Sequence, residues 1–391
     1  MSHRKLTISI LLLFLLSPVV SPARAVLTGA DRMDRYLPLL AGKKVALLIN
    51  QTSVTGGRLL ADTLLARGVQ VTKLFAPEHG IRGKADAGAA VADGRDSVTG
   101  LPVISLYGSS KKLGKAQLAD VDVLVYDLQD VGVRFYTYIS TLQYAMEACA
   151  AYGKMLIVLD RPNPNGFYVD GPVLDTALRS FVGMQPVPVV YGMTAGEYAM
   201  MLQGERWFAG AAALRLTVIP CEGYSHADRY HLPVPPSPNL KTAAAVFCYP
   251  SLCLFEGTDI SVGRGTGTPF EQWGHPAFKG KGTHSFTPVS MAGAAKPLHE
   301  GETCYGERMR EDAHAAHCFT LMPLLQAYGW YPDKEKFFNG NNFFDKLAGN
   351  TSLRRQVAAG MTETAIRATW QQDLDRFRKI RRQYLLYPDF E

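Results

Sequence analysis

The sequence predicts an α/β fold: a Rossmann-like N-terminal domain built on a parallel sheet, followed by a smaller α+β C-terminal domain. Two observations predict the first part. Between residue 43 and about 190, short continuous runs of Val, Ile and Leu alternate with segments of helical period. The runs have no polar face, as strands covered by helices on both sides require. The third observation predicts the second part: residues 220–290 are dense in Gly and Pro and hold no sustained period, so they read as ordered loops and brief strands. Alternating β and α elements close into a parallel sheet with right-handed crossovers.

Strands are expected at residues 45–49, 71–75, 103–106, 121–126, 155–159 and 187–190. Helices are expected at 58–67, roughly 115–119, and 138–152. In the last, Leu142, Ala145, Met146 and Cys149 recur at helical spacing, and Gly153 supplies the C-cap. Near the end, Ile366, Trp370, Leu374, Phe377 and Tyr384 mark one apolar stripe. Arg376, Arg378, Lys379, Arg381 and Arg382 interleave with it and read as its solvated face. The domain boundary is placed near residue 240, giving 26–240 and 241–391.

The first 25 residues have the pattern of a secretory signal peptide. His3, Arg4 and Lys5 precede an apolar run over residues 6–16, and Ala23-Arg24-Ala25 forms the cleavage site. The run is shorter than the roughly 20 residues a bilayer span needs, so no stable membrane insertion is expected after cleavage. A periplasmic or secreted location follows. Removing 25 residues from 391 leaves 366, more than one core usually serves. Losing Arg4, Lys5 and Arg24 takes the formal charge from +6 to +3. No basic run marks a nucleic-acid groove, so no nucleic-acid partner is expected. Of the six cysteines, Cys248/Cys253 and Cys304/Cys318 are the closest pairs, and an oxidising compartment permits either bond. Cys149 reads as a small buried residue.

Ligands of an open parallel sheet bind outside the carboxyl ends of its strands. Polar residues collect there. Asn50-Gln51-Thr52 follows the first run, and Glu78-His79 with Arg82 follows the second, in FAPEHGIRG. Asp127, Gln129, Asp130, Arg134 and Tyr136 follow the fourth, Asp160-Arg161-Pro162-Asn163 the fifth, and Tyr191 to Thr194 the sixth. Five such ends define a crevice. A dinucleotide is not its expected ligand: the first turn is NQTSVTGG, without the glycine fingerprint, and Gly263-Arg264-Gly265-Thr266-Gly267 lies in the loop-rich part and reads as a tight turn. No P-loop or G-x-S-x-G elbow occurs, and no cofactor is expected. His299, Cys304, His314, His317 and Cys318 make no recognised zinc pattern, so no metal is expected.

Carboxylates remain. Glycoside cleavage needs a protonated acid at the leaving oxygen, with a second carboxylate or a substrate group to complete displacement. Glu78, between Pro77 and Gly80, is held on a constrained turn where burial tunes an acid. Two other readings stand beside this on the residues alone: His79 as base with Glu78 orienting it, and Glu78 as a plain cap of the turn.

The motifs FAPEHGIRG, TGLPVISLYG, DVLVYDLQDVGVRFYTYISTL, LDRPNPNG, VDGPVLD, SFVGMQPVPVVYGMTAGEYA, PPSPNL and YPSLCLFEGTDISVGRGTGTPFEQWG occur in that order. Together they resemble the exo-β-N-acetylmuramidase NamZ family, from about Asp31 to the C-terminus. The resemblance implies an active site in the cleft between the two domains and removal of N-acetylmuramic acid from non-reducing ends of peptidoglycan fragments. It implies that Glu78, in the PEHG motif, is the catalytic glutamate.

From residue type, Asp130, Asp127 and Glu256 are candidates for the second carboxylate, and His79 is a catalytic neighbour. Asn50, Gln129, Asp160, Asn163 and Asn239 are candidate sugar contacts. An arginine fork suits the lactyl carboxylate of muramic acid, which nominates Arg82, Arg134, Arg161 and Arg264. Tyr136 and Tyr138 either stack on the sugar or pack in the core. Glu197, in MTAGE, reads as a helix start favoured by the dipole. Asp170 and Asp259 stand where relatives are expected to carry Glu and Asn. A non-catalytic protein binding wall fragments in the same cleft is the alternative, and only the enzyme needs a titrating carboxylate at Glu78. An esterase would need an activated Ser or Cys, and no such motif is present.

Overall fold

The computed structural model describes residues 26–78, 80–81, 93–107, 111–309 and 319–391. The expected leader lies outside these residues. Helix α1 (Met33–Leu40) leads into β1 (Val45–Ile49), a short hairpin of β2 (Val54–Thr55) and β3 (Arg58–Leu59), helix α2 (Leu60–Ala66) and β4 (Val71–Ala76). Then come β5 (Gly94–Arg95), β6 (Pro102–Ser105), β7 (Val123–Asp127), α3 (Tyr138–Tyr152), β8 (Met155–Leu159), α4 (Ala195–Gly204) and β9 (Arg215–Ile219). Seven of these strands form one sheet in the order β5-β6-β4-β1-β7-β8-β9. Only the β5–β6 pair is antiparallel.

Counted in chain order, the six parallel strands run third, second, first, fourth, fifth, sixth. That is the Rossmann order, and its switch point lies between β1 and β7. The runs VALLI and VLVYD are buried along their whole length, because helices cover both faces. Alternate residues feed two apolar clusters. Ala46, Leu48, Leu124 and Tyr126 pack toward α3 and α4, while Val45, Leu47, Val123 and Val125 pack toward α1 and α2. Gly153 closes α3 at φ 65°, the left-handed C-cap expected from its position.

Several expected elements differ. The 58–67 helix starts as strand β3, and the 115–119 segment is a single 3-10 turn, Ala116–Leu118. The 187–190 run is not a strand of the sheet; Val190 makes isolated bridges to Val133 and Asp170. The sixth parallel strand is β9. Val187, Val189 and Val190 are fully buried in packed loop, and an apolar run alone does not separate a buried strand from a buried loop. β9 escaped notice because its outer residues are partly exposed and polar.

The second part holds a three-stranded antiparallel sheet, β10 (Gln272–His275), β12 (Cys304–Arg308) and β11 (His284–Phe286), in that order. Its helices are α5 (Ala243–Leu252), α6 (Met322–Trp330), α7 (Phe343–Ala348), α8 (Ser352–Ala358), α9 (Glu363–Ala368) and α10 (Gln371–Arg381). Helix α5 was not expected: it is buried on most sides, which erases any amphipathic period, though Thr242 caps it through the Ala245 amide. The C-terminal stripe is two helices broken at Thr369 and Trp370, with Ile366, Trp370, Leu374 and Phe377 buried as expected. Arg381 corrects the solvated-face reading. It is fully buried, donating to both Asp389 carboxylate oxygens at 2.7 Å and to the Gly192 carbonyl at 2.8 Å. Cys149, Cys221, Cys248, Cys253 and Cys304 are buried and in no disulfide among the described residues, so Cys248 and Cys253 are not joined. Cys318 lies outside the described residues. A single apolar cluster runs from Ala46 to Phe377 and joins the two parts of the chain.

Candidate active site

A cavity of about 740 Å3 lies where the carboxyl ends of β4 and β7 meet the second part of the chain. Glu78 enters it two residues after β4. Its carboxylate accepts a hydrogen bond from the Thr137 hydroxyl at 2.9 Å. Thr137 is the N-cap residue of α3, yet its side chain caps nothing in the helix. That hydroxyl is turned to Glu78, and the carboxylate faces the positive end of the helix. Tyr107 hydrogen-bonds Glu78 too; burial first, and the Glu78 charge second, push its hydroxyl well above the usual tyrosine range, so it remains a donor. The Asn50 amide donates to the Tyr138 hydroxyl at 2.8 Å, and that hydroxyl reaches the Glu78 carbonyl at 3.4 Å. Glu78 is therefore fixed in both side chain and backbone.

Glu256 and Arg264 line the same cavity from the second part. Arg264 contacts one Glu256 oxygen through Nε at 2.7 Å and through Nη2 at 2.6 Å. Burial would lower the guanidinium, and the Glu256 carboxylate outweighs it and raises it. The Cys253 thiol donates to the other Glu256 oxygen at 3.5 Å. Arg264 stacks over Phe270 at 4.9 Å, and Tyr249 packs edge-on against both Phe270 and Tyr136, completing an aromatic wall. Tyr136 spends its hydroxyl on the Pro236 carbonyl at 2.9 Å, tying PPSPNL to the sheet. Among Asp127, Asp130 and Glu256, only Glu256 reaches the cavity.

Packing places the other expected contacts outside the lining of this cavity. Arg134 is fully buried and donates to the carbonyls of Pro172, Val187 and Leu347. Arg161 forms a two-point pair with Asp127 at 2.5 and 2.9 Å. Asp160 accepts from Thr194, the Gly196 amide and Tyr387. Asn163 bonds the Met193 carbonyl and the Asn165 amide, and Gln129 the carbonyls of Asp130 and Pro162. Asp130 accepts from Tyr191 and from the Gly132 amide; burial raises it to about 6 against those bonds. Asn50 and Asn239 stand behind the wall, Asn239 donating to the Gly293 carbonyl at 2.8 Å. His79 and Arg82 lie outside the described residues.

Asp170 pairs with Arg367, away from the cavity. Glu197 lies in the first turn of α4, the helix start expected of it, where it forms a capping box with Thr194 and also bonds His226. Tyr249 and Phe270 escaped sequence reading, as did three other cavity features. Thr137 had a faint signal, a threonine directly before a helix; Tyr107 and the loop at 293–298 had none.

Asp259, His275 and His299 bring three potential metal-ligand atoms within 4.8 Å of one another. They are already engaged. His275 Nδ1 accepts the Ala277 amide, which puts its proton on Nε2, facing Asp259 at 3.1 Å. His299 Nε2 lies 2.9 Å from the Asp259 carbonyl, and Tyr331 donates to the Asp259 carboxylate at 2.6 Å. A cation would have to displace a proton and these bonds, so the donor set fits a polar brace better than a metal centre. His314, His317 and Cys318 lie outside the described residues.

The family profile described as exo-beta-N-acetylmuramidase NamZ, N-terminal, matches residues 45–244, and its C-terminal counterpart matches residues 247–387. The chain is 38% identical over 387 residues to the peptidoglycan beta-N-acetylmuramidase NamZ of Bacillus subtilis strain 168, covering 92% of this chain and 91% of that one. It also resembles two crystal structures of DUF1343 family proteins from Bacteroides fragilis NCTC 9343. One has a TM-score of 0.86 at 41% identity and the other 0.79 at 30%, each covering 93% of this chain and 99% of its own.

Proposed function

This chain belongs to the exo-β-N-acetylmuramidase NamZ family, and we propose that it is an exo-lytic glycosidase releasing N-acetylmuramic acid from non-reducing ends of peptidoglycan fragments. The observation that carries the reading is Glu78, held by Thr137 and Tyr107 at a cavity that the Glu256–Arg264 pair also lines. In this scheme Glu78 protonates the leaving glycosidic oxygen. Glu256, the other carboxylate lining the cavity among the described residues, completes the displacement. The proposal keeps the division near residue 240: residues 26–240 carry Glu78, and 241–391 close the cleft with Glu256 and Arg264.

We place the reaction outside the cytoplasm, in the periplasm or beyond, where its polymer is found. The charged start, short apolar run and Ala23-Arg24-Ala25 site support this. Mass spectrometry of the exported protein should find a mature N-terminus near Val26; an intact leader on exported protein would count against it.

The central test uses a chromogenic β-N-acetylmuraminide and a disaccharide ending in muramic acid. The wild type should release the sugar from both. Glu78→Gln keeps the shape and the Thr137 contact, and should lower kcat by about 10³-fold or more, since it removes the transferable proton. Wild-type turnover in that variant would show that Glu78 is not the acid. Binding without turnover in the wild type would favour the wall-fragment binding protein instead.

A further inference from the structure

Resting on that reading, we infer that Lys296 is the residue that selects muramic acid, by pairing with its lactyl carboxylate. Muramic acid differs from glucosamine by this one anionic substituent, so a cavity that prefers it must present a cation. The arginines that sequence reading nominated do not supply one. Arg134 is consumed by three carbonyls and Arg161 by Asp127, both inside the core. Arg264 is neutralised by Glu256. Among the described residues, the cations lining the cavity are Arg264 and Lys296. Lys296 is exposed and makes no ion pair or hydrogen bond among the described residues.

The backbone around Lys296 is held on both sides while its side chain is not. Upstream, Asn239 anchors the Gly293 carbonyl, Met291 bridges Ala294, and Ser290 donates to the Ala295 carbonyl at 2.8 Å. Downstream, Pro297 packs so closely on Gly265 that a Cβ there would sit 2.6 Å from its ring, and Gly265 has φ +82°. The Val289 amide donates to the Gly265 carbonyl at 2.9 Å, so the loop is stitched to the residue next to Arg264. An ammonium on a flexible stem thus rises from a fixed point on the wall. With Arg264 paired to Glu256, Lys296 is the cation left among the described lining residues to meet a carboxylate from the substrate.

Two measurements test this. In turnover of the β-N-acetylmuraminide, Lys296→Met keeps the stem and should raise KM about tenfold with a smaller change in kcat, while Lys296→Arg restores most of the affinity. Calorimetry with N-acetylmuramic acid and N-acetylglucosamine is independent of turnover. The wild type should prefer the former by about tenfold, a preference that shrinks with added salt and is lost in Lys296→Met. An unchanged preference in Lys296→Met overturns the inference whatever the turnover. A preference that depends on Lys296 in a protein that hydrolyses nothing would leave the inference standing and remove the glycosidase reading.

Discussion

Asp130 and Asp160 are carboxylates that burial raises to about 6, against hydrogen bonds from Tyr191 and Gly132 in one case and Thr194 and Tyr387 in the other. In the unfolded chain both return to about 3.8. Between those values the folded protein holds protons that the unfolded chain has released. Their stabilising contribution is therefore complete below about pH 4 and is lost as pH rises through about 6. Each shift corresponds to a few kcal/mol at most, about 1.4 per pKa unit. Asp130→Asn keeps an acceptor for the Gly132 amide and removes the titration. Urea unfolding should show a smaller fall in stability between pH 4.5 and 7.5 than in wild type, by about 1–3 kcal/mol. An unchanged fall would mean that Asp130 is not the group responsible. The same variant should retain turnover, because Asp130 does not line the cavity; loss of turnover with a normal fold would return it to the catalytic set. Sequence reading placed Glu78 and Asp130 at two strand ends, those of the second and fourth runs, facing one crevice. Burial separates them.

At the scale of elements, α4 begins with a capping box. The Thr194 hydroxyl accepts from the Glu197 amide while the Glu197 carboxylate accepts from the Thr194 amide. The same hydroxyl donates to Asp160 at 2.6 Å, tying the helix start to the end of β8. Thr194→Val keeps the shape and removes both bonds. A cap is worth about 1 kcal/mol and a bond to a charged group about 1.5–3, so denaturant unfolding should register a loss of about 2–4 kcal/mol. A loss under 0.5 kcal/mol would show that the box contributes little. This helix start was legible because a glutamate favoured by the dipole of a helix N-terminus is a local signal. Strand β9 and helix α5 were not legible, since their identity depends on what covers them. The apolar run at 187–190 was read as a strand for the same reason: its burial was visible, its partners were not.

Across the whole molecule, the C-terminal tail returns to the end of the parallel sheet. Tyr387 donates to Asp160 at 2.5 Å and accepts from the Cys221 amide at 2.9 Å. The Leu386 amide bonds Glu197 at 2.7 Å, the His226 amide bonds the Pro388 carbonyl at 2.9 Å, and Arg381 locks Asp389. Tyr387→Phe strips Asp160 of a donor and leaves the Cys221 amide unmatched in the interior. It should destabilise the protein by about 2–4 kcal/mol while leaving KM for the muraminide unchanged, as read by unfolding and by steady-state kinetics. A shift in KM at unchanged stability would contradict a purely structural clasp. This return explains why a boundary near residue 240 does not divide the core: the last helices complete the packing of the first domain.

Residue order alone determined the parallel sheet, the position of Glu78 just after one of its strands, and the family. These rest on local patterns, namely continuous apolar runs, turn residues and long motifs, and local patterns survive without coordinates. Only the tertiary structure decided which charged groups meet the cavity. Arg134 looks like a ligand clamp until carbonyls from residues 172, 187 and 347 enclose it. Lys296, in an unremarked loop, is left facing the space. Whether a charge is spent inside the protein or presented to a substrate depends on partners that are distant in the chain and brought near by packing.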